Sequence, residues 1–504
     1  MKDGHYYVTT PIYYVNDRPH IGHAYTTILA DVLSRYHRNE GRQVFFLTGL
    51  DEHGQKVQQA AEQRGVDPQT HCNDMAVRFT DLWKRLEIQN DDFIRTTEDR
   101  HKKIVRLALQ KVYDNGDVYC DEYEGWYSVA EERFITETEM KSGQFRDVKK
   151  IKEKNYFFKM SKYQQQLVDH IERHPRFIQP ESRRNEILGF LRQPLGDLCI
   201  SRPKARLNWG IELPFDSEYV TYVWFDALLN YISVPGWGSD EARFRDWWPA
   251  SVHLIGKDIL MTHAVYWPTM LFSLGVELPQ TIFAHGWWMT GDAKMSKSLG
   301  NVVNPLDMID AYGVDAVRYY LMREMVLGMD ANFSPESFIK RYNSDLANDF
   351  GNLLNRVSGF IGKYFSGVIP PCGEPQAAEQ AVIRTADLLN DKVADLVSRM
   401  RVHEAIEETL QLVRQVNKYM ELQAPWKLVK EDLAAAGRVL YTSMEALRVA
   451  AVFLSPVMPE KTRQVLDVLG AEGTGLSWGG LKSGTPLKSH EALFPRIEVE
   501  QSEG

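Results

Sequence analysis

The sequence predicts a parallel α/β sheet that is split by an α+β insertion and followed by an all-α helical bundle. Three observations carry this. Strand, helix and strand follow one another at parallel-sheet spacing between Tyr6 and Leu47. From about residue 116 to 215 the texture breaks into short aromatic and charged segments, after which uninterrupted apolar runs return. Beyond residue 335 the apolar positions repeat almost wholly with helical period. A chain of 504 residues is too long for one core, so two to four domains are expected.

Taken in order, Tyr6 to Thr10 reads as a buried strand, and Val44 to Leu47 as a second. Between them Ile28, Leu29, Val32, Leu33 and Tyr36 recur at helical spacing, with Gly41 as a cap after the last turn. His20 and His23 fall at the start of that helix, three residues apart and on one face, with Gly22 between them. Unpaired backbone N–H groups and the positive helix end favour an anion there, and two imidazoles add donors. A bare Gly22 lets a flat base or ribose approach the backbone. Two histidines in this place also serve simply as a helix cap, so the motif gains weight only from a second one.

Asp51-Glu52-His53-Gly54 closes the second strand at the same sheet edge. Parallel-sheet texture returns with Val220 to Phe225, His253 to Ile255 and Thr281 to Ala284, and a helix is expected over 259–274. The second motif is Lys294-Met295-Ser296-Lys297-Ser298, bracketed by Gly291 and Gly300. Two lysines and two hydroxyls between glycine hinges suit a loop that closes on phosphates. In the bundle, a core stripe of Leu346, Phe350, Leu353, Val357 and Phe360 runs beside a polar stripe of Asn348, Asn352 and Arg356. Helices are expected near 377–400, 402–422 and 431–453.

Composition is that of an ordinary globular protein, 44% hydrophobic and 25% charged, and Arg448 interrupts the best apolar run before it reaches membrane-spanning length. The first residues carry no signal pattern, so no membrane partner and a cytoplasmic location are expected. A net charge of −9 argues mildly against nucleic acid, but the test is local. Candidate basic patches are Lys149 to Lys154, Arg183 with Arg184, and Arg202 with Lys204 and Arg206. The four cysteines, Cys72, Cys120, Cys199 and Cys372, are isolated, which supports neither a disulfide framework nor a zinc knuckle.

With a helix-start His-x-Gly-His and a later Lys-Met-Ser-Lys-Ser flanking a split sheet, the chain resembles the class I aminoacyl-tRNA synthetases, and in detail the methionine-specific family of shorter bacterial or organellar type. The likeness spans nearly the whole chain and includes Val223-Trp224-Phe225-Asp226-Ala227, Gly256-Lys257-Asp258-Ile259, Gln423-Ala424-Pro425-Trp426 and Leu493-Phe494-Pro495-Arg496. It implies a Rossmann-like catalytic domain in two halves, 1–115 and 216–290. A zinc-free connective insertion would occupy 116–215, the lysine loop and stem-contact region 291–345, and a helical anticodon-binding domain with its tail 346–504.

The implied reaction activates L-methionine with ATP and Mg²⁺ to methionyl-adenylate and pyrophosphate, then transfers methionine to the 3′ end of initiator and elongator methionine tRNAs. His20, His23, Lys294 and Lys297 would be catalytic, and Gly22, Ser296 and Ser298 would join them around ATP. Methionine would meet Ile12, Tyr14, Asp51, Trp224, Ala227, Tyr231, Ile259 and His263, with Asp51 on its ammonium. Asn352, Arg356 and Trp426 would read the anticodon by edge contacts and stacking. Thr262 departs from the family's aromatic residue at the pocket wall. No metal site, no structural zinc and a monomer are expected.

Rival readings keep the fold but change the task. A nucleotidyltransferase or cysteine ligase would lack the bundle and Trp426. A synthetase for leucine, isoleucine or valine would need a larger editing insertion. A non-catalytic tRNA-binding paralogue would not keep His20, His23, Lys294 and Lys297, and a dehydrogenase would show Gly-x-Gly-x-x-Gly after the first strand.

Overall fold

The computed structural model describes residues 4–16, 18–128, 133–135, 140–141, 143, 147–291, 293–294, 303–471 and 475–498. The chain divides into two compact units, Met1–Pro19 with Gly41–Lys84 and Ile88–His285, and His20–Glu40 with Arg85–Glu87 and Gly286–Gly504.

The first unit is built on a six-stranded sheet. Its strands are β1 (His5–Tyr14), β2 (Gln43–Asp51), β3 (Asp92–Arg95) and a two-residue edge strand, Ile178–Gln179, together with Val252–Gly256 and Ile282–His285. In space β1 lies between β2 and Val252–Gly256, all pairings are parallel, and Tyr14 is in register with Asp51. Near-continuous burial along these strands explains why they read as apolar runs rather than alternating ones. At Gly49 a Cβ would lie 2.1 Å from the Ile94 carbonyl oxygen, so β2 and β3 approach too closely for a side chain.

The insertion folds as a separate antiparallel sheet in which Val118–Ser128 pairs with Val148–Phe158 along its length. Two readings of this region are corrected. The segment 116–215 does contribute to the main sheet, through Ile178–Gln179, whose shortness leaves no pattern to detect. Val220 to Phe225 is not a parallel strand: Asp216–Thr221 pairs antiparallel with Ser201–Pro203, and α1 (Val223–Leu228) begins two residues later. A short apolar run does not distinguish a buried strand from a buried helical turn. The helix expected over 259–274 is likewise composite, with a π-helical turn at Thr262–Tyr266 before α2 (Trp267–Leu274). Pro268 lacks the N–H that a regular α-helical ladder needs there.

The basic patches of the insertion are largely neutralised within it. Lys150 and Lys152 pair across strands with Glu124 and Glu122, Lys204 pairs with Glu212, and Arg183 with Glu186. Arg202 is buried, its guanidinium 4.6 Å from the Tyr222 ring centroid.

The second unit is mainly helical. Ile21–Asn39 is buried over most of its surface, and its Asp31 carboxylate receives Arg318 at 2.6 Å, both side chains fully buried. Arg318 also donates to the carbonyls of Leu86, Pro456 and Val457, so one guanidinium joins four segments. Four longer helices follow: α3 (Asn352–Tyr364), α4 (Ala377–Ser398), α5 (Val402–Gln423) and α6 (Leu433–Leu454). Leu346, Phe350, Leu353 and Val357 are buried as expected, whereas Phe360 is only half-buried. Arg448, which interrupts the apolar run, is buried against Glu445 at 2.7 Å. Among the described residues no helix is long and apolar enough to cross a membrane.

Candidate active site

His20 is the N-cap of the helix Ile21–Asn39. Its Nδ1 accepts from the Gly22 N–H at 3.0 Å, and the His23 Nδ1 accepts from the His20 N–H at 3.2 Å. The imidazoles stack with centroids 3.9 Å apart. The capping role and the donor role are therefore compatible: with each Nδ1 accepting, each neutral ring carries its proton on Nε2. Burial, and next the neighbouring His20, hold the His23 value well below the usual imidazole range. A Cβ on Gly22 would stand 2.9 Å from the His20 ring, so the glycine protects that ring's position.

Lys294 lies in a two-residue strand, in antiparallel register with Met289. Ser296, Lys297 and Ser298 fall outside the described residues.

In the first unit a cleft is lined by Ile12, Trp224, Ala227, Tyr231 and His263, five of the residues expected around the amino acid. Pro11, Leu228 and Asn230 also line it. Nothing in their spacing marks them, but Leu228 follows Trp224 by one helical turn, and Pro11 and Asn230 adjoin expected residues. Tyr14, Asp51 and Ile259 do not line it. Asp51 is 5% exposed at the end of β2, and Lys56 sits 5.9 Å from the Tyr14 ring. Ile259 contributes its carbonyl, which accepts from His263 Nδ1 at 3.0 Å and Thr262 Oγ1 at 2.7 Å.

Those bonds fix the chemistry of the cavity's inner end. With Nδ1 donating to Ile259, His263 Nε2 accepts from the Tyr231 hydroxyl at 2.8 Å. Burial pushes the His263 value down to about 4 and raises that of Tyr231, so both stay neutral. Tyr231 is held in turn by stacking on His253 at 4.2 Å, while the Tyr7 hydroxyl donates to its carbonyl at 2.9 Å. His253 is anchored by Thr9 at 2.7 Å and by the Trp267 indole N–H at 3.3 Å. The Trp224 ring stands edge-on to His263, centroids 6.2 Å apart. The result is a small, uncharged, aromatic-walled cavity with one hydroxyl whose proton is already committed. Thr262 supports the His263 tautomer through backbone and ring contacts.

In the bundle Asn352 is exposed and Arg356 half-buried on α3, and Trp426 stacks on Phe360 at 5.9 Å with planes 24° apart. Among the described residues no group of three His, Cys, Asp or Glu side chains is placed to hold a metal ion. Cys120 and Cys372 are exposed, and Cys199 accepts from Arg202 at 3.4 Å.

The family described as "tRNA synthetases class I (M)" matches residues 6–144 and 142–358, and the anticodon-binding domain of methionyl tRNA ligase matches 369–504. The chain belongs to the methionine–tRNA ligase family. Methionine–tRNA ligase of Caldanaerobacter subterraneus is 44% identical over 98% of this chain and 79% of its own length. That of Bacillus subtilis is 43% identical over 99% of this chain and 79% of its own. Among solved structures, Mycobacterium tuberculosis methionyl-tRNA synthetase in complex with methionyl-adenylate matches with a TM-score of 0.94 and 41% identity, covering 98% of this chain and 100% of that one. The apo form of the same enzyme matches with a TM-score of 0.85 and 38% identity, covering 98% of each chain.

Proposed function

We propose that this protein is a methionine–tRNA ligase. A methionine carboxylate oxygen attacks the α-phosphorus of ATP, pyrophosphate leaves, and a ribose hydroxyl at the tRNA 3′ end then takes the methionyl group and releases AMP. The observation that carries the reading is the cavity itself. Its lining is apolar and aromatic, and its neutral Tyr231–His263 end offers weak polar contact to a thioether without charge. Trp224, Ile12 and Ala227 supply the apolar wall, and Asp51 is the partner of the α-ammonium.

His20 and His23 donate from Nε2 to the ATP phosphates, while Lys297, with Lys294, neutralises the leaving pyrophosphate and Ser296 and Ser298 contact the nucleotide. No side-chain nucleophile is required; catalysis is positioning and charge stabilisation. Mg²⁺ enters with ATP as part of the substrate, and no structural zinc is needed. Asn352, Arg356 and Trp426 read the anticodon of methionine tRNAs. The enzyme acts as a cytoplasmic monomer, with the sheet halves at 1–115 and 216–290, the insertion at 116–215, and the lysine loop and bundle meeting near 345.

The deciding experiment is amino-acid-dependent exchange of labelled pyrophosphate into ATP across all twenty amino acids. Exchange with methionine alone is expected, and equal exchange with leucine or isoleucine would overturn the assignment. Lys297→Ala should cut the activation rate far more than it weakens methionine binding. An unchanged rate would remove the loop from the mechanism.

A further inference from the structure

Adjoining the cavity-lining residues in sequence is a buried polar chain that the proposed chemistry does not use. Asp226 is fully buried in α1, and each of its oxygens meets a different imidazole: Oδ2 lies 2.6 Å from His53 Nδ1, and Oδ1 lies 2.7 Å from His101 Nε2. His101, also fully buried, continues through Nδ1 to Ser233 Oγ at 3.1 Å. Burial alone would raise the Asp226 carboxyl, but the imidazoles outweigh it and hold the value below the usual carboxylate range. The backbone around His53 is pinned as well: the Trp209 indole N–H donates to the Glu52 carbonyl, and the Gly54 N–H to that of Trp209 at 3.2 Å.

What these partners have in common is their place in sequence. His53 follows Asp51 by two residues, Asp226 stands between Trp224 and Ala227, and Ser233 ends the short helix Asn230–Ser233 that carries Tyr231. His53, Asp226 and Ser233 thus each grip one segment that holds a wall of the cavity or the ammonium partner, and His101, from the helix Asp99–Asp114, joins Asp226 to Ser233. Two imidazoles on a fully buried carboxylate are a costly arrangement for stability alone, since apolar packing would serve as well. Its distinctive property is directional: charge-assisted bonds fix separations that apolar contacts leave soft.

We infer that the His53–Asp226–His101–Ser233 chain sets the span between the ammonium partner Asp51 and the aromatic end of the cavity, making Asp226 a positioning residue for side-chain length. The inference rests on the methionine reading of the cavity. A slackened span lets a longer side chain settle and lets methionine sit loosely. The discrimination at stake is that of one methylene, about 10- to 200-fold.

The test is pyrophosphate exchange by the full chain with methionine and with ethionine, its homologue one methylene longer. Asp226→Asn keeps the volume but removes the charge and one acceptor. It should raise KM for methionine about tenfold, leave KM for ATP within about twofold, and lower the methionine-to-ethionine ratio of kcat/KM at least about fivefold. A fall in kcat/KM equal for both amino acids, with the ratio intact, would show a merely structural role and overturn the inference. Ser233→Ala loosens only the outer link and should move the ratio the same way by a smaller factor. If Asp226→Asn does not fold, an unmoved ratio in Ser233→Ala overturns the inference. Tyr231→Phe separates the two readings: if it shifts the ratio and Asp226→Asn does not, the positioning chain fails while the cavity stands. If neither variant shifts it, the cavity assignment falls as well.

Discussion

His263 shows how a single tautomer decides what a cavity can recognise. Its Nδ1 is committed to the Ile259 carbonyl, so Nε2 accepts from Tyr231 and neither group carries charge. Its folded value, about 4, lies below the ordinary imidazole value of 6.5. The unfolded chain therefore binds the proton first, and stability present above pH 6.5 is lost as pH falls toward 4. The urea midpoint should decline over that window in the wild type, and more shallowly in His263→Phe. Asp315 has the opposite sign. Burial outweighs the bond from the Lys461 N–H and the nearby Arg318, and lifts its carboxyl to about 7. The folded state keeps a proton that the unfolded chain releases, so stability falls as pH rises from about 4 to 7. Asp315→Asn should raise unfolding free energy at pH 8 by roughly 2–4 kcal/mol and have little effect at pH 4, measured by denaturant titration.

At the scale of elements, close approach and buried ion pairs fix what the apolar pattern leaves open. β2 and β3 run close enough at Gly49 that Gly49→Ala would drive a methyl into the Ile94 backbone. A loss of at least about 2 kcal/mol is expected, seen as a lowered melting temperature. The tail after residue 474 is tied to α6 by three side chains, Tyr441, whose hydroxyl donates to the Leu481 carbonyl at 2.8 Å, Glu445 and Arg448. Glu445 accepts from the N–H groups of Gly479 at 2.8 Å, Gly480 at 3.0 Å and Leu481 at 2.8 Å, while its partner Arg448 donates to the carbonyls of Gly475 and Ser477. Removing the carboxylate leaves Arg448 and three N–H groups without it. Glu445→Ala should therefore cost about 3–5 kcal/mol and expose the 475–498 segment to limited proteolysis. Tail cleavage no faster than in the wild type would show that other contacts hold it.

For the whole molecule, the proposal that no structural zinc is needed has a direct consequence. Prolonged dialysis against a strong chelator should leave the melting temperature unchanged, while pyrophosphate exchange is lost and returns fully on adding Mg²⁺ alone. A melting temperature that falls and recovers only with zinc would overturn that reading. Each of the two units has its own sheet or bundle core. In the second, Arg318 spans residues far apart in sequence, from Asp31 to Val457. Arg318→Met should lower the melting temperature by several degrees, because the fully buried Asp31 carboxylate then loses its buried guanidinium partner.

The sequence alone determined the first strand–helix–strand unit, the interruption of the sheet, the helical bundle, the family, and the short motifs that carry the proposed chemistry. Each of these is written in local periodicity or in residues adjacent along the chain. It also marked Ile12, Trp224, Ala227, Tyr231 and His263, which the structure brings around one cavity. Only the tertiary structure decided that Val220 to Phe225 is not one strand, that Ile178–Gln179 returns to the main sheet, and that His53 and His101 converge on Asp226 with Ser233 beyond His101. Those outcomes depend on pairings across tens to hundreds of residues. The partner of a buried carboxylate or a two-residue strand leaves no period in the sequence, because it is selected by where the chain folds back, not by what stands beside it.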